Sequence, residues 1–269
     1  KKTNFVNKYL IEANRVADST VFVSTWLKNL FINQGLENDN LRVILSGANS
    51  ELFNLENTDV WTAEKPLKIV THHWGANWNK GFAIYKKLDE LLSKSEYKEK
   101  LEFTYIGNLP SKVKFQNSSV VKPLSGRALA NEVKNHHAYL TGSLNEPSGN
   151  HHIEGAQCGL PILYIDSGGI PEYCENYGLK FTENNFETIL QEFIINFSKL
   201  KSNMHTYPHD SDQMCSEYEN LFIKLLDSRE QIVKVRKTPY RINILDQVIY
   251  LISRKLNLEF KKFKVRFSK

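Results

Sequence analysis

The stretch that decides the fold places two glutamates, with seven residues between them, ahead of an apolar run and a double-glycine turn. It runs Glu146-Pro147-Ser148-Gly149-Asn150-His151-His152-Ile153-Glu154-Gly155-Ala156-Gln157-Cys158-Gly159-Leu160-Pro161-Ile162-Leu163-Tyr164-Ile165-Asp166-Ser167-Gly168-Gly169-Ile170-Pro171-Glu172. This pattern predicts a loop, a short helix, a Gly-Pro break, a buried strand and a turn into a second helix. Two helix N-termini then open on one side of a sheet, where free N–H groups favour phosphate. Because the nearby carboxylates accept hydrogen bonds from sugar hydroxyls, the stretch indicates a nucleotide-sugar site.

Strands alternate with helices on either side of this stretch. The predicted strands are 21–24, 41–45, 67–71, 101–106, 120–121, 138–141 and 161–165, and the predicted helices are 25–33, 81–93, 126–134, 153–158, 186–200 and 212–226. Such alternation predicts an α/β fold with a Rossmann-like, doubly wound parallel sheet. Ligands of such sheets bind at the carboxyl ends of the strands, where the loop from Thr141 to Asn150 is expected.

The whole stretch resembles the C-terminal donor-binding half of GT-B retaining glycosyltransferases, in particular the Glu-x7-Glu enzymes of the family 4 type. The hallmark of that family is Glu, seven residues, Glu, then Gly-x-Pro, an apolar strand and Gly-Gly-x-x-Glu, and all of these pieces occur here in order. The alternative is a βαβ crossover with incidental acidic residues, because short motifs also occur by chance.

The resemblance implies a retaining glycosyltransferase that moves a sugar from a UDP- or GDP-sugar to a glycan or lipid-linked acceptor, in bacterial-type polysaccharide or envelope glycan synthesis. It implies no cofactor and no metal. Two other functions stay open: a nucleotide-sugar epimerase on the same fold, and a non-catalytic donor-binding or membrane-tethered module. Neither the donor base nor the sugar follows from the sequence.

The resemblance also implies the roles of individual residues. Glu146 corresponds to the catalytic glutamate at the transferred sugar, and Glu154 to the one that accepts from both ribose hydroxyls. Lys80, followed by Gly81, corresponds to the Lys-Gly that holds the diphosphate, although no arginine precedes it as in most relatives. Main-chain groups of residues 122–124 correspond to the segment that holds the base. The remaining donor-binding candidates are His73, Trp74, Ser148, Gly149, Asn150, His151, Gly168, Gly169 and Glu172.

Three of these residues have a simpler interpretation. Glu146 alone could be an exposed loop acid, Glu154 an acid of a first helical turn that favours the dipole, and Lys80 a solvated lysine at a helix start. The three pairs of adjacent histidines are interpreted as non-metal, because neighbouring side chains point apart on a helix or strand.

The resemblance, together with the charge of the last residues, divides the chain into three predicted parts. Residues 1–60 are expected to be a remnant of an N-terminal acceptor domain with its linker, 61–231 the donor-binding domain, and 232–269 a basic amphipathic, helical tail. The tail carries eleven Lys and Arg against two acidic residues, a net charge of +9, whereas the whole chain carries +5. Since the first part is short and lacks an initiating methionine, we expect the chain to be an incomplete enzyme.

The tail and the cysteines bear on location. Phenylalanines interleaved with basic residues near the end predict attachment to an anionic membrane surface, with a helix docked on the missing domain as the equal alternative. Nucleic acid is not an expected partner, because the body is mildly acidic. Three scattered cysteines without a Cys-x-x-Cys motif, and no apolar run of membrane-spanning length, predict a cytoplasmic protein, peripheral on the inner membrane face if the tail attaches.

Overall fold

The computed structural model describes residues 5–235 together with positions 252 and 255. The chain divides into two compact units, residues 1–227 and 228–269. In the second unit the described helix is Arg229–Val235, in which no residue is buried. Most of the predicted tail therefore lies outside the described residues, and the boundary predicted near residue 60 stays a prediction. Within the described part of the chain, no helix combines the length and apolarity needed to cross a membrane.

The first unit alternates strands and helices. Its strands are β1 Thr20–Phe22, β2 Leu41–Val43, β3 Leu67–His73, β4 Leu101–Gly107, β5 Ser119–Val121, β6 Ala138–Thr141, β7 Ile162–Ile165 and β8 Gly178–Phe181. Its helices are α1 Phe5–Arg15, α2 Thr25–Ile32, α3 Phe82–Leu91, α4 Gly126–Lys134, α5 Asn150–Gln157, α6 Ile170–Cys174, α7 Phe186–Ile195, α8 Phe197–Asn203 and α9 Ser211–Asp227, and α10 is the Arg229–Val235 helix of the second unit.

Six strands form one parallel sheet in the order β5-β4-β3-β6-β7-β8, and β1 pairs with β2 in a separate parallel sheet. The predicted Rossmann-like α/β class is confirmed. The central strand β3 is almost wholly buried, as expected for a strand covered by helices on both faces. From β3 the chain first adds β4 and β5 on one side, then crosses to β6 on the other. This reversal is a topological switch point, and the crevice between the carboxyl ends of β3 and β6 is where ligands of such sheets bind.

Helix α5 packs closely against the sheet at Gly155. A Cβ atom there would come within 2.2 Å of Tyr139 Cδ2, on strand β6. The ring of Tyr139 is fully buried beneath the helix. This contact fixes the height of α5 above the sheet and so the position of its neighbour Glu154.

Two predicted helices differ from the structure. Helix α5 begins at Asn150, three residues earlier than predicted, because Gly149 with φ 90° ends the loop and allows the next residues to turn. Glu154 therefore lies beyond the first turn, and its interpretation as a first-turn acid is wrong. The segment 186–200 forms two helices, α7 and α8, because Asn196 caps the end of α7.

Candidate functional site

A cleft of about 270 Å³ opens at the carboxyl ends of the central strands. The end of β3, the following loop, the end of β4 and the first turns of α5 contribute its walls. It is lined by His72, His73, Trp74, Gly75, Lys80, Ile106, Gly107, Pro123, Leu124, Leu129, Asn150, His151 and Glu154. Five predicted donor-binding side chains besides Glu154 thus meet in one place: His73, Trp74, Lys80, Asn150 and His151.

A chain of hydrogen bonds orients Glu154. The Tyr139 hydroxyl accepts from the His72 backbone N–H and lies 3.0 Å from His72 Nδ1. Burial raises the pKa of Tyr139 well above its usual value, so the hydroxyl keeps its proton and donates it to Nδ1. His72 Nε2 therefore carries the ring hydrogen and donates it to Glu154 Oε2 at 2.7 Å. Oε1 of Glu154 has no partner among the described residues and is available to a ligand.

Glu146 is held beside the cleft by Lys80. The Lys80 Nζ atom lies 2.6 Å from Glu146 Oε2, and both side chains are mostly buried. Lys80 ends a 3₁₀ turn, and Gly81 follows with φ 98°. A Cβ at Gly81 would lie 2.6 Å from the carbonyl carbon of Gly142, so only glycine lets this turn approach the end of β6 so closely. Glu146 does not itself line the cleft; it reaches the cleft through this ion pair.

The double-glycine turn, Gly168 and Gly169, packs against the backbone of the Glu146 loop. Gly169 N–H donates to the Glu146 carbonyl at 2.8 Å. A Cβ on Gly168, whose φ is 68°, would meet the same carbonyl oxygen at 2.3 Å. Gly168 and Gly169 therefore lie against the backbone of the loop, and their predicted contact with the donor stays a prediction.

Glu172 lies at the N-terminus of α2. Its carboxylate accepts the backbone N–H groups of Thr25 and Trp26, both at 2.7 Å. Ser24 Oγ accepts from a third amide of that helix, as a capping serine does. The structure thus bonds Glu172 to the N-terminal segment of the chain, and its predicted role at the donor stays a prediction.

Two of the predicted residues, Ser148 and Gly149, belong to the loop before α5 and are not among the residues that line the cleft. Ser148 is buried with 7% exposure. Gly149 adopts φ 90°, and a Cβ there would lie 2.8 Å from His151 Cε1 and 2.9 Å from Glu146 Cγ. Gly149 therefore allows the glutamate and the histidine to pack against each other.

Four histidines lie at or next to the cleft: His72, His73, His151 and His152. The rings of His73 and His151 have centroids 4.5 Å apart and both line the cleft. Burial, followed by the neighbouring histidines and Lys80, lowers the pKa of each well below its usual value. His152 is fully buried behind them, and burial lowers its pKa to about 3. Among the described residues, no group of three or more His, Cys, Asp or Glu side chains has the arrangement of a metal site.

The sequence prediction missed part of the cleft. His72 was not among the candidates, although a second polar residue at the end of an apolar strand was a usable signal. Ile106, Gly107 and Leu129 form the apolar end of the cleft together with Pro123 and Leu124. These last two belong to the segment predicted to face the base.

Several solved glycosyltransferases share this fold. TarM superposes with a TM-score of 0.63 and 14% identity over 81% of this chain and 46% of its own. The sucrose-phosphate synthase of Thermosynechococcus elongatus gives 0.63 and 14% over 84% and 63%. Anabaena HepE, in complex with UDP-glucose, gives 0.63 and 14% over 81% and 67%. No protein-family model matches the sequence, and no curated protein matches it.

The likeness to these GT-B glycosyltransferases concerns the fold, because the sequence identity is low. The chain spans about half to two thirds of the length of these three proteins. The fold that surrounds the cleft is therefore shared with these neighbours. What this chain itself binds and does depends on its own residues.

Proposed function

We propose that this chain contains the donor-binding part of a glycosyltransferase that uses a nucleotide sugar. The observation that carries the proposal is Glu154, which lines the cleft. Its Oε1 atom has no partner among the described residues, while His72, itself bonded to Tyr139, holds its other oxygen. A carboxylate held in this way is suited to accept two hydroxyl donors of a ribose. The apolar end of the cleft, with Pro123 and Leu124, has the character needed for a base.

The phosphates of the donor are proposed to lie between the base and the sugar, at the first turn of α5. Backbone N–H groups of a first helical turn have no partner within the helix. Asn150 and His151 line the cleft at this turn, and Lys80 lines the same cleft. Amides, imidazoles and one ammonium group thus surround a space suited to a diphosphate.

Glu146 is proposed to act at the transferred sugar, in a reaction that retains the anomeric configuration. Its carboxylate adjoins the cleft and is charge-paired with Lys80 at 2.6 Å. We propose a glycan or lipid-linked acceptor, as in bacterial-type polysaccharide or envelope glycan synthesis, and attachment of the basic tail to an anionic membrane. HepE was crystallised with UDP-glucose, which makes a UDP-sugar the first donor to test.

Calorimetric titration with UDP, GDP and uridine tests the proposal. We expect one nucleoside diphosphate to bind with a stoichiometry of one, and uridine to bind more weakly because it lacks the phosphates. An exposed glutamate on β4 offers a matched control: Glu102→Gln should leave affinity unchanged, whereas Glu154→Gln should lower it. Failure of both diphosphates to bind the folded protein would exclude a donor site here.

A non-catalytic donor-binding module is the second candidate. It is favoured by the pairing of Lys80 with Glu146 and by the lack of an arginine among the residues that line the cleft. Release of free sugar or sugar transfer from UDP-glucose, measured on the full-length protein with acceptor present, separates the two. Conversion of the nucleotide sugar without acceptor would instead indicate an epimerase.

A further inference from the structure

Resting on the proposed function, we propose that His73 and His151 replace the missing arginine, and that the donor diphosphate binds together with one proton taken up by this pair. Both imidazoles line the cleft, and their ring centroids are 4.5 Å apart. In each ring Nε2 has a hydrogen-bond partner, whereas Nδ1 has none among the described residues. In this site, donor affinity is set by protonation and not by a permanent guanidinium charge.

Tyr85 determines which ring nitrogen of neutral His73 carries the hydrogen. Its hydroxyl accepts from Gly142 N–H at 3.2 Å and lies 2.7 Å from His73 Nε2. Burial raises the pKa of Tyr85 to about 12, so the hydroxyl is protonated and donates to Nε2. Neutral His73 therefore carries its hydrogen on Nδ1, which has no partner among the described residues. His73, which lines the cleft, therefore has an N–H donor that is not used by any described residue.

His151 completes the pair from the second position of α5. Its Nε2 atom lies 2.9 Å from Thr141 Oγ1, while Nδ1 has no partner among the described residues. Its place on the helix puts the ring beside the backbone amides of the first turn. A phosphate at these amides would lie within reach of both imidazoles.

The surroundings of the pair explain why it is neutral without ligand. Lys80, on the turn before α3, carries a positive charge, and the neighbouring imidazoles of His72, on the same strand, and His152, next along α5, compete with the pair for a proton. All of them disfavour a further positive charge. The acidic groups near the cluster have other partners: Glu146 is paired with Lys80, and Glu154 accepts from His72.

Three tyrosines pack against the same imidazoles: Tyr85 from α3, Tyr105 from β4 and Tyr139 from β6. Burial raises the pKa of each above its usual value. They stay uncharged and supply no counter-ion for an imidazolium. A bound diphosphate is the group that supplies it.

The direction in which donor affinity changes with pH follows from these charges. A bound dianion favours the charged imidazolium, so the pKa of the pair is higher in the complex than in the free protein. Affinity therefore rises as pH falls from the higher pKa toward the lower one. Two rings in contact repel each other when both are charged, so one proton enters per donor. It comes from solvent. If His73 takes it on Nε2, the new N–H donates to the Tyr85 hydroxyl. The hydrogen bond that Thr71 Oγ1 now donates to this hydroxyl at 3.3 Å then reverses, so that Tyr85 donates to Thr71.

The test is calorimetric titration with UDP-glucose from pH 5.5 to 8, in buffers of different ionisation enthalpy. UDP-glucose suits the purpose because its diphosphate diester does not titrate in this range. We expect Kd to fall by up to about tenfold per pH unit on acidification, with uptake approaching one proton. Uridine, which lacks phosphates, should bind with an affinity independent of pH.

The variants are H73N, H151N and their combination, with the exposed His205→Asn as the matched control. The combined variant should lose the pH dependence and the proton uptake, and His205→Asn should keep both. Y85F supplies an independent variant that keeps both rings and should weaken UDP-glucose binding by releasing His73. Binding of UDP-glucose with a flat pH profile, or a slope that survives in the combined variant, would overturn the inference alone. Absence of binding by wild-type protein at every pH would overturn the proposed function as well.

Discussion

Replacing Glu154 with glutamine tests the donor site at its best-defined side chain. In the wild type, His72 Nε2–H donates to Oε2 at 2.7 Å, and Oε1 is available to the ligand. Glutamine keeps an oxygen that accepts from His72, so the fold around α5 should persist. The ribose hydroxyls, however, lose their charged acceptor. Hydrogen bonds to charged groups contribute about 1.5–3 kcal/mol, so nucleotide affinity should fall roughly tenfold to a hundredfold.

A ligand series makes this prediction specific to the ribose. Titrations of wild type and Glu154→Gln with UDP and with 2′,3′-dideoxy-UDP form a double-difference cycle. The wild type should bind the dideoxy ligand roughly tenfold or more weakly than UDP, because its carboxylate loses both donors. In the variant the two ligands should bind almost equally.

The cycle also provides the refutation. If the penalty for removing the hydroxyls is the same in wild type and variant, Glu154 does not contact the ribose, whatever the variant does to overall affinity. Glu102→Gln, on the exposed side of β4, should reproduce the wild-type values. Thermal melts of all three proteins establish that affinity changes arise from the site and not from unfolding.

Three further predictions follow from the same structure. Glu146→Gln should abolish sugar transfer by the full-length protein but leave UDP affinity equal or higher, since Lys80 loses its partner at 2.6 Å; wild-type turnover would remove the catalytic role. Gly149→Ala should destabilise the fold by more than Gly35→Ala in chemical denaturation, by about 1–3 kcal/mol, because both have φ near 90° but a Cβ meets neighbours only at Gly149. Equal losses would mean that backbone strain alone matters. Liposome co-sedimentation should require anionic lipid, weaken with salt and vanish on deletion after Gln231; equal pelleting with neutral liposomes would favour the docked helix.

The sheet and much of its order of elements could be predicted from the sequence because the signals were local. Strand β6 and helix α4 occur at the predicted residues, and β3 extends only two residues further, to His73. Apolar runs bounded by glycine and proline specify such elements without knowledge of distant contacts. Strand β8, Gly178–Phe181, was missed because it is short and only its last residue is buried.

The site was only partly predictable because its geometry depends on contacts between distant segments. The motif located Glu154, but the bond from His72 joins residues 82 positions apart. The Lys80–Glu146 pair likewise spans 66 positions. Both pairings arise because parallel strands bring their carboxyl ends together, which a linear pattern does not specify by residue.

Glu172 shows how the same motif joins the site to the N-terminal segment. Its carboxylate takes two amides of α2 at 2.7 Å, where the positive end of the helix dipole favours a negative charge. Gly169, in the same turn, donates to the carbonyl of Glu146 and leaves room for Ser24, which a Cβ would meet at 2.7 Å. One turn thus contacts both the loop of the proposed catalytic glutamate and the first residues of α2. This turn therefore connects α2 with the Glu146 loop by direct contacts, without passing through the cleft.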